Sequence, residues 1–405
     1  MLETLRHNRH TASIFLLVLI LLGVGLTMVY SSSAAKEASR TQQAIATQYQ
    51  VPDLGHRSFH SPRLLLRQLM WVGLGMLGLV IFYSLDYGAV AKYYPLILLL
   101  ALVMLVVVLI PKIGVELNGA RRWIRLGPFQ FQPSEFAKLA LVIALCKFLF
   151  DNKDRLDDFK KVILPCVGAV VVFCGLLLAE PDFGMTAITV AICGGVLFMA
   201  GIRMRIVAKM AIAGLPLLAA AGALAAYRWE RIIGMFNGWQ PMNSKIALGS
   251  GGLWGKGLGQ GLQKYILPEA HNDYIFSMIG EELGMVGAMG VLIVFCLLIG
   301  LAFWIAYRAT DFQGALLASG IGAMIAIPTL INLGVALVVL PPKGLALPFI
   351  SYGGSAMMVN LAAIGILMNI ARDVDLQTAA RVRQRGLRRR REKDNLRPTP
   401  IWAKS

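Results

Sequence analysis

The sequence predicts an all-α, polytopic membrane protein, and three observations predict it. Apolar runs near the ~20 residues that cross a hydrocarbon core recur from end to end. Charge, Pro and Gly gather in the breaks between them. The composition is too apolar for a soluble domain: 57% of the 405 residues are hydrophobic, only 15% are charged, and mean hydropathy is +0.66.

About ten transmembrane helices follow from the length rule. Their approximate limits are 13–30, 65–84, 93–111, 136–150, 162–179, 184–201, 206–226, 275–307, 313–340 and 354–371. The fourth is short, and the eighth and ninth are long enough to be tilted or broken. Arg6 and Arg9 before the first run also fit a signal peptide. No small-residue cleavage site follows, so that run is expected to be retained. The spans make one transmembrane domain over 1–371, with a large outward loop at 227–274, followed by a basic tail over 372–405.

Short basic loops orient the chain, because Lys and Arg near span ends stay cytoplasmic. Arg6 and Arg9, the segment 151–161, the segment 201–205 and the tail from Arg372 fall on one side, so both termini are expected inside. The tail carries RVRQRGLRRRREK within a net charge of +17. Beside a membrane such a run is expected to rest on anionic lipid rather than nucleic acid, at ~1 kcal/mol per basic residue. Cys146, Cys166, Cys174, Cys193 and Cys296 lie inside expected spans without a C-x-x-C pair, which argues for packing over disulfides or zinc.

The outward loops carry the chemistry. The first, 31–64, is polar and without a reactive cluster, so it reads as a spacer or partner surface. The others hold charge next to the membrane against the usual bias, which points to an anionic ligand. In ELNGARRWIRLGPFQFQPSEFAKLAL (116–141), Asn118-Gly119 signals a turn. Arg121 and Arg122 are fork donors suited to phosphate, and Trp123 is an interfacial aromatic. Pro133 and Ser134 start a helix, with Ser134 as its cap, that puts Glu135 and Lys138 on one face. Headgroup anchoring by Arg121, Arg122 and Trp123, with Lys138 snorkelling, is the competing reading.

GSGGLWGKGLGQG (249–261) is not a nucleotide loop. Gly251 and Gly255 are separated by three residues rather than four, and Gly257 follows Lys256 where Ser or Thr is required. Its glycines allow close backbone approach to a ligand, with Lys256 and Lys264 as phosphate-compatible charges; a plain flexible loop is the alternative. PEAHNDYIFSMIGEELG (268–284) then brings one histidine and four carboxylates between apolar runs. Asp273 there is either a general base whose pKa partial burial raises, or the N-cap of the eighth span.

NGARRW, QPSEFAKL, EPDFG, ALGSGGLWGKGLGQGLQK, LPEAHNDYIFSMIGEELG and PPKGLALPFISYGGS occur in this order over 116–356. In these motifs the chain resembles the SEDS family (shape, elongation, division and sporulation). The resemblance implies a ten-span membrane glycosyltransferase that polymerises lipid II, the undecaprenyl-diphosphate disaccharide precursor of peptidoglycan. It also implies work beside a class B penicillin-binding transpeptidase and other divisome membrane proteins, at the septum of the cytoplasmic membrane. Lys343 in PPKG and the basic tail favour the cell-division branch over the elongation branch. Pro342, Ala356 and Asn272 depart from the usual pattern, and the outward loop before WQPMNSK is shorter by about ten residues.

The implied reaction joins the 4-hydroxyl of an acceptor GlcNAc to the anomeric carbon of a donor MurNAc, with inversion, and displaces a lipid diphosphate. It needs a base for the hydroxyl and cations for the leaving group. The resemblance puts the catalytic role on Asp273. Glu269 and His271 would orient substrate or Asp273, and Glu281 and Glu282 would be structural pairs. Arg121, Lys138, Arg231, Lys256 and Lys343 would surround the diphosphate. Glu135, Asp182 and Asp273 are the alternative holders of a divalent cation, Mg or Mn. Ser351, Tyr352, Gly353 and Ser355 would approach substrate, or simply form a tight re-entry turn. A lipid II flippase, an elongation polymerase and a divisome scaffold are the competing functions.

Overall fold

The structure is a computed structural model describing residues 8–46, 61–117, 119–127, 129–203, 205, 206, 209, 238–267, 271–341 and 344–395. In chain order it runs α1 (Arg9–Ala46), α2 (Ser61–Ser84), α3 (Tyr87–Lys92) and α4 (Tyr94–Val108). Strands β1 (Gly114–Leu117), β2 (Ala120–Leu126) and β3 (Phe129–Phe131) follow. Then come α5 (Pro133–Asp151), α6 (Leu164–Ala179), α7 (Phe183–Met199), α8 (Trp239–Ser250) and the one-turn α9 (Gln263–Ile266). The chain closes with α10 (Ile275–Arg308), α11 (Phe312–Ala336) and α12 (Gly354–Asn395).

Among the described residues, six stretches are long and apolar enough to cross a membrane: Arg9–Ser32, Leu64–Ser84, Phe159–Ala179, Ile275–Arg308, Phe312–Ala336 and Gly354–Ala380. α4 and α7 are apolar but shorter. α5 carries Glu135, Lys138, Lys147 and Asp151 and is buried on nearly every side of its first four turns, which puts it at the centre of the bundle. The expected seventh span, 206–226, lies almost entirely outside the described residues.

Without a hydrophobic drive between helices in lipid, close backbone approach holds the bundle. α12 lies along α2, where a Cβ at Gly365 would fall 2.5 Å from the Leu79 carbonyl oxygen. α1 approaches the turn before α12 in the same way, with Gly25 backing onto Phe349 and Ile350.

The structure departs from the sequence reading in four places. Helix α1 continues to Ala46, through the start of the segment read as a loop, because Ala, Lys, Glu and Gln there favour helix and no Gly or Pro interrupts them. The segment read as a loop before α5 is a small antiparallel sheet of order β1-β2-β3, with Gly114 opposite Ile124 and Ile124 opposite Phe131. Gly119, at φ 75°, makes the first hairpin turn that the Asn-Gly pair signals. Ser134 does not cap α5: the helix begins one residue earlier, after Gln132, because Pro133 is pre-set for the first helical position. The long eighth span is broken in the way its length predicts, by a kink at Gly284, φ 70° and ψ −171°; the fourth departure lies in the tail. α12 passes without a break from the last span into the basic tail.

Candidate active site

Residues 271–274 enter α10 as a turn that the loop after Gly344 holds in place. Tyr352 N donates to the His271 carbonyl at 3.0 Å, and Ser351 Oγ donates to the Asn272 carbonyl at 2.7 Å. Ser351 Oγ also accepts from Leu347 N at 2.8 Å. From α11, Asn332 Nδ2 donates to the Asp273 carbonyl at 3.3 Å and to the Leu345 carbonyl at 2.8 Å. The buried His271 ring meets Tyr352 edge-on, centroids 5.7 Å apart.

Asp273 is half-buried and lies one residue before the N-cap position of α10, Tyr274, which makes no side-chain capping bond. Its carboxylate faces the Gly344 backbone: a Cβ at Gly344 would lie 3.8 Å from Oδ2. Leu345, the next residue, lines a cavity of about 20 Å³ together with Glu135, Lys138, Ala346 and Asn360. That volume admits about one water and no sugar ring. Lys138 Nζ lies 2.8 Å from Glu135 Oε2, and both side chains are nearly inaccessible to solvent.

A third group closes the other side. Gln132 N donates to Ser355 Oγ at 3.1 Å, while its side-chain amide donates to Asp182 Oδ2 at 3.3 Å. Asp182 caps α7 through Met185 N at 3.1 Å. Arg122 reaches from β2 to the same turn, its Nε 3.7 Å from Asp182 Oδ2 and 3.2 Å from the Glu180 carbonyl. A second guanidinium nitrogen donates to the Pro181 carbonyl. Glu180 itself is fully buried, and neither carboxylate oxygen has a hydrogen-bond partner among the described residues. Burial, reinforced by the neighbouring Asp182 charge and opposed by Arg122, pushes its pKa up to about 8. Burial likewise raises Asp182, against the Arg122 charge.

The Gly-rich segment is clasped to α10. Glu281 accepts from Lys256 Nζ at 2.8 Å, Leu262 N at 2.9 Å and Gln263 N at 3.1 Å. Glu282 accepts from Lys264 Nζ at 2.8 Å, Gly259 N at 3.0 Å and Ser31 Oγ at 2.7 Å. The φ of 81° at Gly255 and a Cβ position only 2.2 Å from the Glu282 carbonyl oxygen explain the glycine there. Lys256 therefore sits in an ion pair with Glu281, and Arg121 in one with Glu116 at 3.1 Å on the exposed sheet. Trp123, on the same strand, is half-buried.

Of the residues singled out in the sequence, the structure gathers Asp273, His271, Ser351 and Tyr352 in one cluster. Glu135 and Lys138 form the cavity wall, and Asp182 joins Ser355 through Gln132. Arg121 and Lys256 stand in other ion pairs. Arg231, Glu269 and Lys343 lie outside the described residues. Gln132, Glu180, Asn332 and Asn360 were missed. A signal existed for the two asparagines, since a polar side chain inside an apolar span usually faces a partner or a site. Among the described residues no three His, Cys, Asp or Glu side chains converge as metal ligands. Glu135 pairs with Lys138, and Asp182 lies beside Arg122.

The geometry has counterparts. The family model described as cell cycle protein, covering FtsW, RodA and SpoVE, matches residues 11–376. The protein named "Probable peptidoglycan glycosyltransferase FtsW" of Trichlorobacter lovleyi is 37% identical over 93% of this chain and 98% of its own. Stage V sporulation protein E of Bacillus subtilis is 36% identical, over 88% of this chain and 95% of its own. Among solved structures, a chain described under polymerization and crosslinking by a peptidoglycan synthase complex superposes with TM-score 0.70 at 30% identity, covering 89% of this chain and 97% of that one. The rod shape determining protein RodA of Thermus thermophilus superposes with TM-score 0.63 at 29% identity, covering 89% and 96%.

Proposed function

Because the chain belongs to the FtsW, RodA and SpoVE family of cell cycle proteins, we propose that Asp273 is the general base of its transfer reaction and lipid II the substrate. The chain is a polytopic membrane peptidoglycan glycosyltransferase. The observation that carries the site assignment is the placement of Asp273: half-buried, outside the N-cap position of α10, and facing the loop whose next residue lines the Lys138 cavity.

In this reading Asp273 takes the proton of the acceptor 4-hydroxyl as that oxygen bonds to the anomeric carbon of the donor. The bond from that carbon to the diphosphate breaks, and the lipid diphosphate leaves on the opposite face, which inverts the centre. Lys138 supplies positive charge from the cavity wall, with Glu135 holding its ammonium in place. Asn332 and Ser351 fix the backbone that carries Asp273, so the base is positioned from α11 and from the turn before α12. No step is routed through a divalent cation.

The wider setting is also proposed. Likeness to proteins named FtsW supports a role in division at the cytoplasmic membrane, both termini inside and the tail on anionic lipid. Likeness to a chain of a peptidoglycan synthase complex supports a class B penicillin-binding transpeptidase as partner. Purified protein in detergent, given labelled lipid II with and without that transpeptidase, tests the reading. Glycan strands made in either condition support a polymerase; their absence in both, with lipid II transport in sealed vesicles, would support a flippase.

A further inference from the structure

The far half of α10 carries a feature that the transfer reaction does not use. A groove of about 560 Å³ opens between α1 and α10, lined by Leu16, Leu17, Leu297, Leu301, Gly300 and Trp304, with His10 at one end. That is the size range of small-molecule sites. Its α10 lining runs from Cys296 to Trp304, all beyond the Gly284 kink, and its His10 and Trp304 end lies one turn from Arg308, the end of α10 farthest from Asp273. Gly300 floors the groove and faces open space: a Cβ there would meet nothing within 4 Å.

The walls are apolar and the mouth is not. The His10 ring stacks on Trp304 at 4.3 Å, and the Arg308 guanidinium lies 5.4 Å from the centre of the Trp304 ring. His10 is also hydrogen-bonded through Nδ1 to Asp375, and its backbone N donates to the same carboxylate at 3.2 Å. Asp375 is thereby engaged. Arg9, exposed on the first turn of α1, and Arg308, exposed on the last turn of α10, have no carboxylate within ion-pair distance among the described residues. The basic run of α12 extends beyond Asp375 from this same end.

We propose that the groove binds one acyl chain of an anionic glycerophospholipid, with the lipid phosphate at Arg308 and Arg9. Two arginines beside the headgroup complement a phosphate and give no reason to retain an uncharged or zwitterionic lipid. A groove of about 560 Å³ between two helices suits a run of methylenes better than a helix ~10–12 Å across. In the proposed reaction, on which this choice of occupant rests, the polyprenyl diphosphate is handled at the Asp273 end of α10, which leaves this groove to another lipid.

The full-length protein, purified in mild detergent and stripped of lipid, is titrated with phosphatidylglycerol or with phosphatidylcholine of the same chains, and bound lipid is counted by native mass spectrometry. The first phosphatidylglycerol should bind at least about ten-fold more tightly than phosphatidylcholine, given two arginines at the phosphate. Arg308→Ala should remove most of that preference, and Gly300→Phe should remove the first site. Cys296 gives a readout without mutation, since it lines the groove and is exposed whereas the other four cysteines are buried. Phosphatidylglycerol should slow its alkylation by a bulky maleimide, and prior alkylation should block the first site. Equal retention of the two lipids overturns the proposal. So does unchanged Cys296 alkylation in phosphatidylglycerol, or a copurifying polypeptide that protects Cys296 where phosphatidylglycerol does not.

Discussion

Lys138 stands 2.8 Å from Glu135 on α5, one helical turn apart, with both side chains in the wall of the small central cavity. Removing one partner of such a buried pair costs ~3–5 kcal/mol, because the other charge is left uncompensated. Lys138→Ala should therefore lower the melting temperature and abolish lipid II polymerisation. Joining Lys138→Met to Glu135→Gln should restore most of the stability and none of the activity. Wild-type polymerisation by the double variant would reduce the pair to a structural role.

Asp273→Asn keeps shape and removes basicity. Polymerisation in detergent should fall below detection while lipid II binding and melting temperature stay near wild type, because Asn is nearly isosteric with Asp and Asp273 lies outside the N-cap position of α10. Residual activity near the wild-type rate would place the base elsewhere.

Glu180 makes stability depend on pH. Its folded pKa of about 8 lies above the ordinary carboxylate value, so between these limits the folded state holds more protons than the unfolded state. Stability is then unaffected by this group below about pH 4 and falls as pH rises towards 8, by an amount on the order of a few kcal/mol. Glu180→Gln removes the titration. Its melting temperature should match wild type at pH 4 and exceed it increasingly from pH 5 to pH 8; parallel curves would show that Glu180 does not titrate there.

The clasp between the Gly-rich segment and α10 predicts a local effect. Lys264→Ala leaves Glu282 with bonds from Ser31 and Gly259 but no cation, again a loss of ~3–5 kcal/mol. Amide exchange should accelerate over residues 255–264 and stay unchanged in α5. Uniform acceleration throughout would mean that the clasp supports the whole bundle.

Orientation is open to labelling. Trp254 is 80% exposed on the Gly-rich segment, whereas Asn152 lies at the other end of α5 from the cavity. A cysteine at Trp254 should react with an impermeant thiol reagent on cells with a permeabilised outer layer, and one at Asn152 should not. The reverse pattern would place Asp273 in the cytoplasm and exclude lipid II polymerisation on the outer face.

Periodicity and hydropathy were enough to locate the spans around α1, α2, α10, α11 and α12, because a bilayer forces long apolar helices whatever they pack against. The chemical residue types were equally legible: Asp273 beside a membrane boundary, Glu135 and Lys138 three apart on a helix. What each cation touches was not legible. Lys138 and Lys256 look alike in sequence, yet one lines the cavity with Glu135 and the other answers Glu281, since a lysine's partner depends on which helix end folds over it.

The sequence by itself determined the solvent, the approximate spans, the motif order and the candidate base, all of which depend on local composition and on residues close together in the chain. Tertiary structure alone decided that the Asp273 backbone is held by Asn332 and Ser351, that Asp182 meets Ser355 through Gln132, and that Glu180 is buried with no hydrogen-bond partner among the described residues. It also decided the groove at Gly300. These depend on contacts between segments from 50 to more than 280 residues apart, such as Gln132 with Asp182 and Leu16 with Leu297, and no local pattern encodes where two such segments meet.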